Sequence, residues 1–150
     1  MKPNKLLIAL TSLCLFIGLV SFAPGNASLI QDVLTHTNKF RQSKGLAALT
    51  MRQELNAIAQ KHSADMASGR AGFGHGGFNK RYALAKNKVK PMRSFAENVA
   101  HGATSGVQVV SMWKSSSGHR RNMLGKFKYI GIGIAKDKRG RIFYTQVFAG

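Results

Sequence analysis

The chain has 150 residues, with 23 Lys and Arg against 5 Asp and Glu, a net charge of +18 and a pI near 10.9. That length suits one ordinary domain, and 44% hydrophobic residues with 3 Pro exclude a collagen-like or Pro/Gly-rich disordered chain. The single cysteine, Cys14, excludes an intrachain disulfide and any cysteine-based zinc module.

The chain starts with Lys2 and Lys5, an apolar run from Leu6 to Val20, and then the small-residue exit Gly25-Asn26-Ala27. A charged start, apolar middle and small-residue exit form the layout of a secretory signal peptide, with cleavage expected after Ala27. The alternative is an uncleaved anchor, for which the run is at the short end of a membrane span. Cleavage would remove Cys14 and leave residues 28–150 as one secreted or periplasmic domain, stabilised by its core alone.

Three capping boxes mark helix starts along that domain. Ser28-Leu29-Ile30-Gln31 opens a helix with Ile30, Val33, Leu34, Thr37 and Phe40 on one face, stopped at Gly45. Thr50-Met51-Arg52-Gln53 opens a second, lined by Leu55, Ile58, Ala59, His62 and Met66 and ending at Gly69. Ser105-Gly106-Val107-Gln108 opens a third, carrying Val107, Val110 and Trp113. Between the second and third, Gly72 to Gly77 reads as an irregular loop, Phe78 to Ala85 as a short helix, and Ser94 to His101 as a strand. Tyr129 to Ala135 and Arg141 to Phe148 form a hairpin about the turn Asp137-Lys138-Arg139-Gly140. This order predicts an α+β domain with a small antiparallel sheet covered by helices.

With so few acids, each is informative. Helix caps, exposed helix faces and the hairpin turn account for Asp32, Glu54, Asp65 and Asp137. Glu97 is different, because strand alternation sets it on one face with Phe95, Val99 and His101. A carboxylate among apolar neighbours needs a cation, proton or metal. Two accounts stand: a salt bridge, for example to Arg81 or Arg120, or a role as ligand or general base. Among the histidines, His75 lies between Gly74 and Gly76, and His119 follows Ser117-Gly118. His36 and His62 read as surface or boundary residues, and His101 is ambiguous. His75, Glu97 and His119 can supply three ligands to Zn²⁺ with one position open, although no compact metal motif such as H-E-x-x-H supports them.

Taken in order, Asn38-Lys39-Phe40-Arg41, Gly74-His75-Gly76, Ala96-Glu97-Asn98-Val99-Ala100, Trp113 through Gly118-His119-Arg120-Arg121-Asn122-Met123-Leu124, Gly131-Ile132-Gly133 and Tyr144-Thr145-Gln146-Val147-Phe148 closely resemble the CAP superfamily. This superfamily of SCP domains includes cysteine-rich secretory proteins, antigen five and pathogenesis-related proteins, and the match looks like its bacterial branch. The resemblance spans Ser28 to Gly150. It implies a three-layer α-β-α sandwich and a cleft where His75, Glu97 and His119 converge and can hold a divalent metal, often zinc. The chain departs from the animal and plant members, whose second Glu and second His fall here on Ser116 and Phe143. Any metal would therefore have three protein ligands at most.

The basic residues cluster at Lys80, Arg81, Lys86, Lys88, Lys90 and Arg93, and again at Arg120, Arg121, Lys126 and Lys128. Such charge attracts polyanions. No aromatic-interleaved motif points to specific nucleic-acid recognition, and export points instead to a cell-envelope polyanion or an anionic membrane surface. The leading expectation is a secreted binding module whose cleft takes a metal, a lipid or a peptide. The alternative is a metal-dependent hydrolase of cell-envelope peptide or amide bonds.

Overall fold

The computed structural model describes residues 24–150. The apolar run expected to act as a signal lies outside the described residues. Nine elements follow in order: α1 (Pro24–Gln42), β1 (Thr50–Met51), α2 (Gln53–Ala67), α3 (Phe78–Lys88), β2 (Phe95–His101), α4 (Gly106–Ser115), α5 (Ser117–Met123), β3 (Tyr129–Lys136) and β4 (Ile142–Ala149).

The four strands form one sheet in the order β1-β3-β4-β2. The pairs β3–β4 and β4–β2 are antiparallel, and two-residue β1 runs parallel to β3. Strand alternation divides the core between two faces. On one, Ile130, Ile132, Ile134, Tyr144 and Phe148 pack against Val33 of α1 and Val109 and Trp113 of α4. On the other, Val147 and Ala149 meet Leu55 and Ala59 of α2 and Ala85 of α3. The result is the three-layer α-β-α sandwich, with α1, α4 and α5 on one side and α2 and α3 on the other.

Close contact between α2 and the sheet depends on glycine. A Cβ on Gly131 would lie 2.2 Å from the Leu55 carbonyl carbon, and one on Gly133 equally close to Ala59 and Gln60 backbone. The same helix finishes the sheet edge that short β1 leaves uncovered. Asn56 Oδ1 accepts from the Ile132 N–H and Gln60 Oε1 from the Ile134 N–H, each at 2.9 Å. At the opposite edge, Asn122 donates to the Glu97 carbonyl at 3.0 Å and Trp113 to the Val99 carbonyl at 3.1 Å.

Two helix starts differ from the sequence expectation. Ser28 falls inside α1, which begins at Pro24, so the expected cleavage point after Ala27 lies within this helix. Thr50 and Met51 pair with Tyr129 and Ile130 as a strand, so α2 starts at Gln53 behind Arg52 with no side-chain cap. The third box forms as expected, with Ser105 Oγ accepting from the Gln108 N–H at 3.2 Å. Asp32, expected to support the start of its own helix, instead accepts from the Gly106 N–H at 2.7 Å and caps α4 across the layer.

Candidate functional site

Glu97 lies mid-strand in β2 with its side chain fully buried. Arg81 of α3 meets it with two nitrogens, Nε to Oε2 at 2.5 Å and Nη2 to Oε1 at 2.7 Å. Of the two cations considered from sequence, Arg81 is the partner, while Arg120 donates to the Lys114 carbonyl. Arg81 is therefore a buried residue and leaves the surface run of basic groups to which its position in the sequence assigned it.

The same guanidinium shapes the loop carrying His75. Arg81 Nη1 donates to the Gly76 carbonyl at 2.7 Å and Nη2 to that of His75 at 3.4 Å. From α2, His62 holds the Gly74 carbonyl at 2.8 Å through Nε2. Gly74 and Gly77 have φ of +133° and +76°, conformations that a side chain would strain. Glycine thus lets the loop turn back, and two buried side chains hold it there.

Held this way, the His75 ring reaches the carboxylate, Nδ1 to Glu97 Oε1 at 2.9 Å. A carboxylate anion only accepts, so Nδ1 is the donor and Nε2 is left for solvent or a ligand, on a side chain that is 50% exposed. His119 comes from the other layer on α5, whose anchorage is the polar ladder at the β2 edge. There Asn98 donates to the His119 carbonyl at 3.2 Å, and Asn122 donates to Asn98 Oδ1 at 2.9 Å. Burial, and then the charge of nearby His75, holds the His119 imidazole below its usual proton affinity.

His62 differs from its expected place at the surface. It is 3% exposed, and its Nε2 lies 3.9 Å from Glu97 Oε1. Its spacing with Leu55, Ala59 and Met66, all buried on the same helix, carried that information. The polar residue type obscured it. Burial pushes the His62 imidazole below its ordinary value, and Arg81 adds to the effect. His101 packs its ring edge-on to Phe73 at 4.5 Å and near Phe143 at 5.5 Å. Phe143 is thus part of an aromatic cluster, and Ser116 precedes α5 at its N-cap position.

The donor set decides how well this cleft suits a metal. Both Glu97 oxygens are already taken, and releasing them to a dication would leave the Arg81 guanidinium buried beside it without its anion. His62 Nε2, which must carry its proton to bond a carbonyl, has no lone pair to offer there. Among the described residues no group of three or more His, Cys, Asp or Glu side chains is placed to hold a metal ion. The arrangement does not fit a three-ligand site through Glu97. It suits a carboxylate that orients an imidazole from behind.

Comparison with known proteins bears on the whole assembly of loop, strand and helix. A family model described as the CAP cysteine-rich secretory protein family matches residues 34–148. The chain belongs to the CAP family. It is 32% identical over 132 residues to the uncharacterized protein YkwD of Bacillus subtilis, covering 85% of this chain and 50% of that one. Among solved structures it is similar to an extracellular SCP-domain protein of Bacillus anthracis, with a TM-score of 0.71, 28% identity, and coverage of 86% of this chain and 44% of the other. A cysteine-rich secretory protein of Staphylococcus aureus shares the fold at TM-score 0.66 and 22% identity, over 82% of this chain and 39% of that one. This CAP chain thus spans half or less of the length of these relatives. No helix among the described residues is long and apolar enough to cross a membrane.

Proposed function

We propose that this CAP chain is an exported binding module, with a cleft at the β2 edge that recognises an anionic polymer of the cell envelope through His75 and His119. One observation carries the reading: Glu97, neutralised by Arg81, orients His75 from within the core and aims the outer ring nitrogen at the cleft. In its neutral form a half-exposed imidazole fixed in this way accepts at Nε2 from a hydroxyl or amide of a ligand with little ordering cost. The net charge of +18 brings polyanions to it. The chemistry that a divalent metal would supply, polarising an acceptor oxygen, falls at most to the two imidazoles.

The competing activity is metal-dependent hydrolysis of envelope peptide or amide bonds. It requires Glu97 as a ligand or as proton acceptor from a substrate-side water. With Arg81 on both oxygens and His75 on one, that carboxylate is committed inward, which favours binding over hydrolysis. The test is retention of the purified chain on immobilised envelope glycopolymer at pH 7.5. His75→Ala/His119→Ala should weaken retention about tenfold at constant salt, and added zinc should leave the wild type unchanged. Equal retention of both proteins would remove the cleft from the function. Clearing of cell-wall substrate by the wild type, lost on chelation, would establish the hydrolase.

A further inference from the structure

Beside Arg81, a concavity of 560 Å³ runs between α2 and α3 and reaches the His75 loop, whose Gly76 and Gly77 also line it. Its walls are two helical stripes. Residues 54, 57, 58, 61, 62 and 65 line it from α2, and 80, 81, 84 and 88 from α3, both at the three- and four-residue spacing of one helix face. Glu54 of α2 feels the charge of Lys88, so the start of α2 faces the end of α3 and the helices run antiparallel. The volume is that of a ligand pocket.

Its floor is apolar and partly unfilled. Ala57, Ile58 and Ala71 line it, and Leu84 turns into it while 43% exposed, a large aliphatic side chain that its own domain leaves half uncovered. The rim is charged unevenly. The α2 carboxylates are occupied, Glu54 by Arg52 and Asp65 by Lys61 and Arg70. On α3, Lys80 and Lys88 line the groove and are exposed, and neither pairs with a carboxylate within 4 Å among the described residues. At 1.5 Å rise per residue these two lysines stand about 12 Å apart along the helix, on either side of Leu84.

We propose that this groove docks an acidic peptide segment of a partner protein, with one apolar side chain flanked by two carboxylates. The charge pattern selects this occupant. Lysines at both ends of an apolar floor complement a ligand anionic at both ends, whereas a single-headed amphiphile would match only one. In an extended peptide, acidic residues four positions apart are separated by about 13 Å, close to the lysine spacing, and the residue midway between them lies over Leu84. The groove adjoins the His75 loop through His62, Arg81, Gly76 and Gly77, but the proposal rests on neither His75 nor His119.

The test is an NMR titration of the full chain with the end-blocked peptide Glu-Ala-Leu-Ala-Glu at low salt, following the methyl signals of Ile58 and Leu84 and the amides of Lys80 and Lys88. These signals should shift together and saturate. Lys80→Glu/Lys88→Glu, at two exposed positions, should weaken binding at least tenfold with an unchanged fold. The peptide Glu-Ala-Ala-Ala-Glu should also bind at least fivefold more weakly. Equal affinity for that peptide would reduce the effect to the general field of a cationic chain and overturn the proposal. So would shifts confined to the His75 and His119 region, or dodecanoate moving the Ile58 and Leu84 methyls while the peptide does not.

Discussion

Glu97 and Arg81 stand at 3% and 8% exposure, so neither can lose its partner without leaving a charge or an unmet donor in the core. Removing one member of such a pair typically costs about 3–5 kcal/mol, most of it the stranded partner. Glu97→Gln and Arg81→Met should each lower stability by about 3 kcal/mol in urea unfolding, and the double variant should lose clearly less than the two losses combined. Additive losses would mean that the two side chains do not share an interaction. His62 adds a pH dependence. Folding depresses its proton affinity, so the unfolded chain takes up the proton first. The stability contributed by neutral His62 is complete above its ordinary value near 6.5 and is lost as the pH falls below it. His119 acts with the same sign. The unfolding free energy should therefore fall on acidification from pH 7 toward 5, by at most about 1.4 kcal/mol per pH unit for each proton. His62→Gln, which keeps a donor for the Gly74 carbonyl, should make that slope shallower.

Among the elements, α2 has the most exacting fit, because its backbone lies directly against Gly131 and Gly133 of β3. Gly133→Ala places a methyl against Ala59 and Gln60 backbone and should cost about 1–3 kcal/mol or more, as overpacked cores do. Gly118→Ala, in the first turn of α5 with nothing within 4 Å of the new methyl, should be neutral or stabilising by up to about 1 kcal/mol. Thermal melts of the two variants read the contrast. Sequence periodicity revealed these elements where one face is apolar: the Ile30, Val33, Thr37 and Phe40 stripe of α1 and the hairpin strands are buried as patterned. Local pattern did not reveal β1, two residues long and defined by its partner strand. Nor did it reveal α5, whose seven residues SGHRRNM include five polar ones and a single buried side chain, Met123. In the candidate site, the isolation of Glu97 among apolar residues was legible, and so was the glycine setting of His75. The choice of Arg81 over Arg120 was not, since it depends on which helix crosses behind the strand.

Across the whole molecule, the charge is lopsided in a specific way. All five carboxylates lie within the described residues, and each contacts a basic side chain: Asp32 with His36, Glu54 with Arg52, Asp65 with Lys61 and Arg70, Glu97 with Arg81, and Asp137 with Arg141. The remaining Lys and Arg surface is answered by solvent ions alone. Binding to a linear polyanion such as heparin should weaken steeply with salt, log affinity falling linearly with log salt concentration as counterions are released. Charge reversal of Arg120 and Arg121 should lower that slope by roughly one to two units. A flat salt response would show that charge does not drive retention. Concentration on such a polymer crowds many copies together, which is hazardous for a protein whose sheet ends in bare strands. Here Asn56 and Gln60 occupy the Ile132 and Ile134 N–H groups on one flank, and Asn122 and Trp113 occupy the Glu97 and Val99 carbonyls on the other. Side chains on both flanks thus compete with a second copy for the edge groups that strand-to-strand stitching would need.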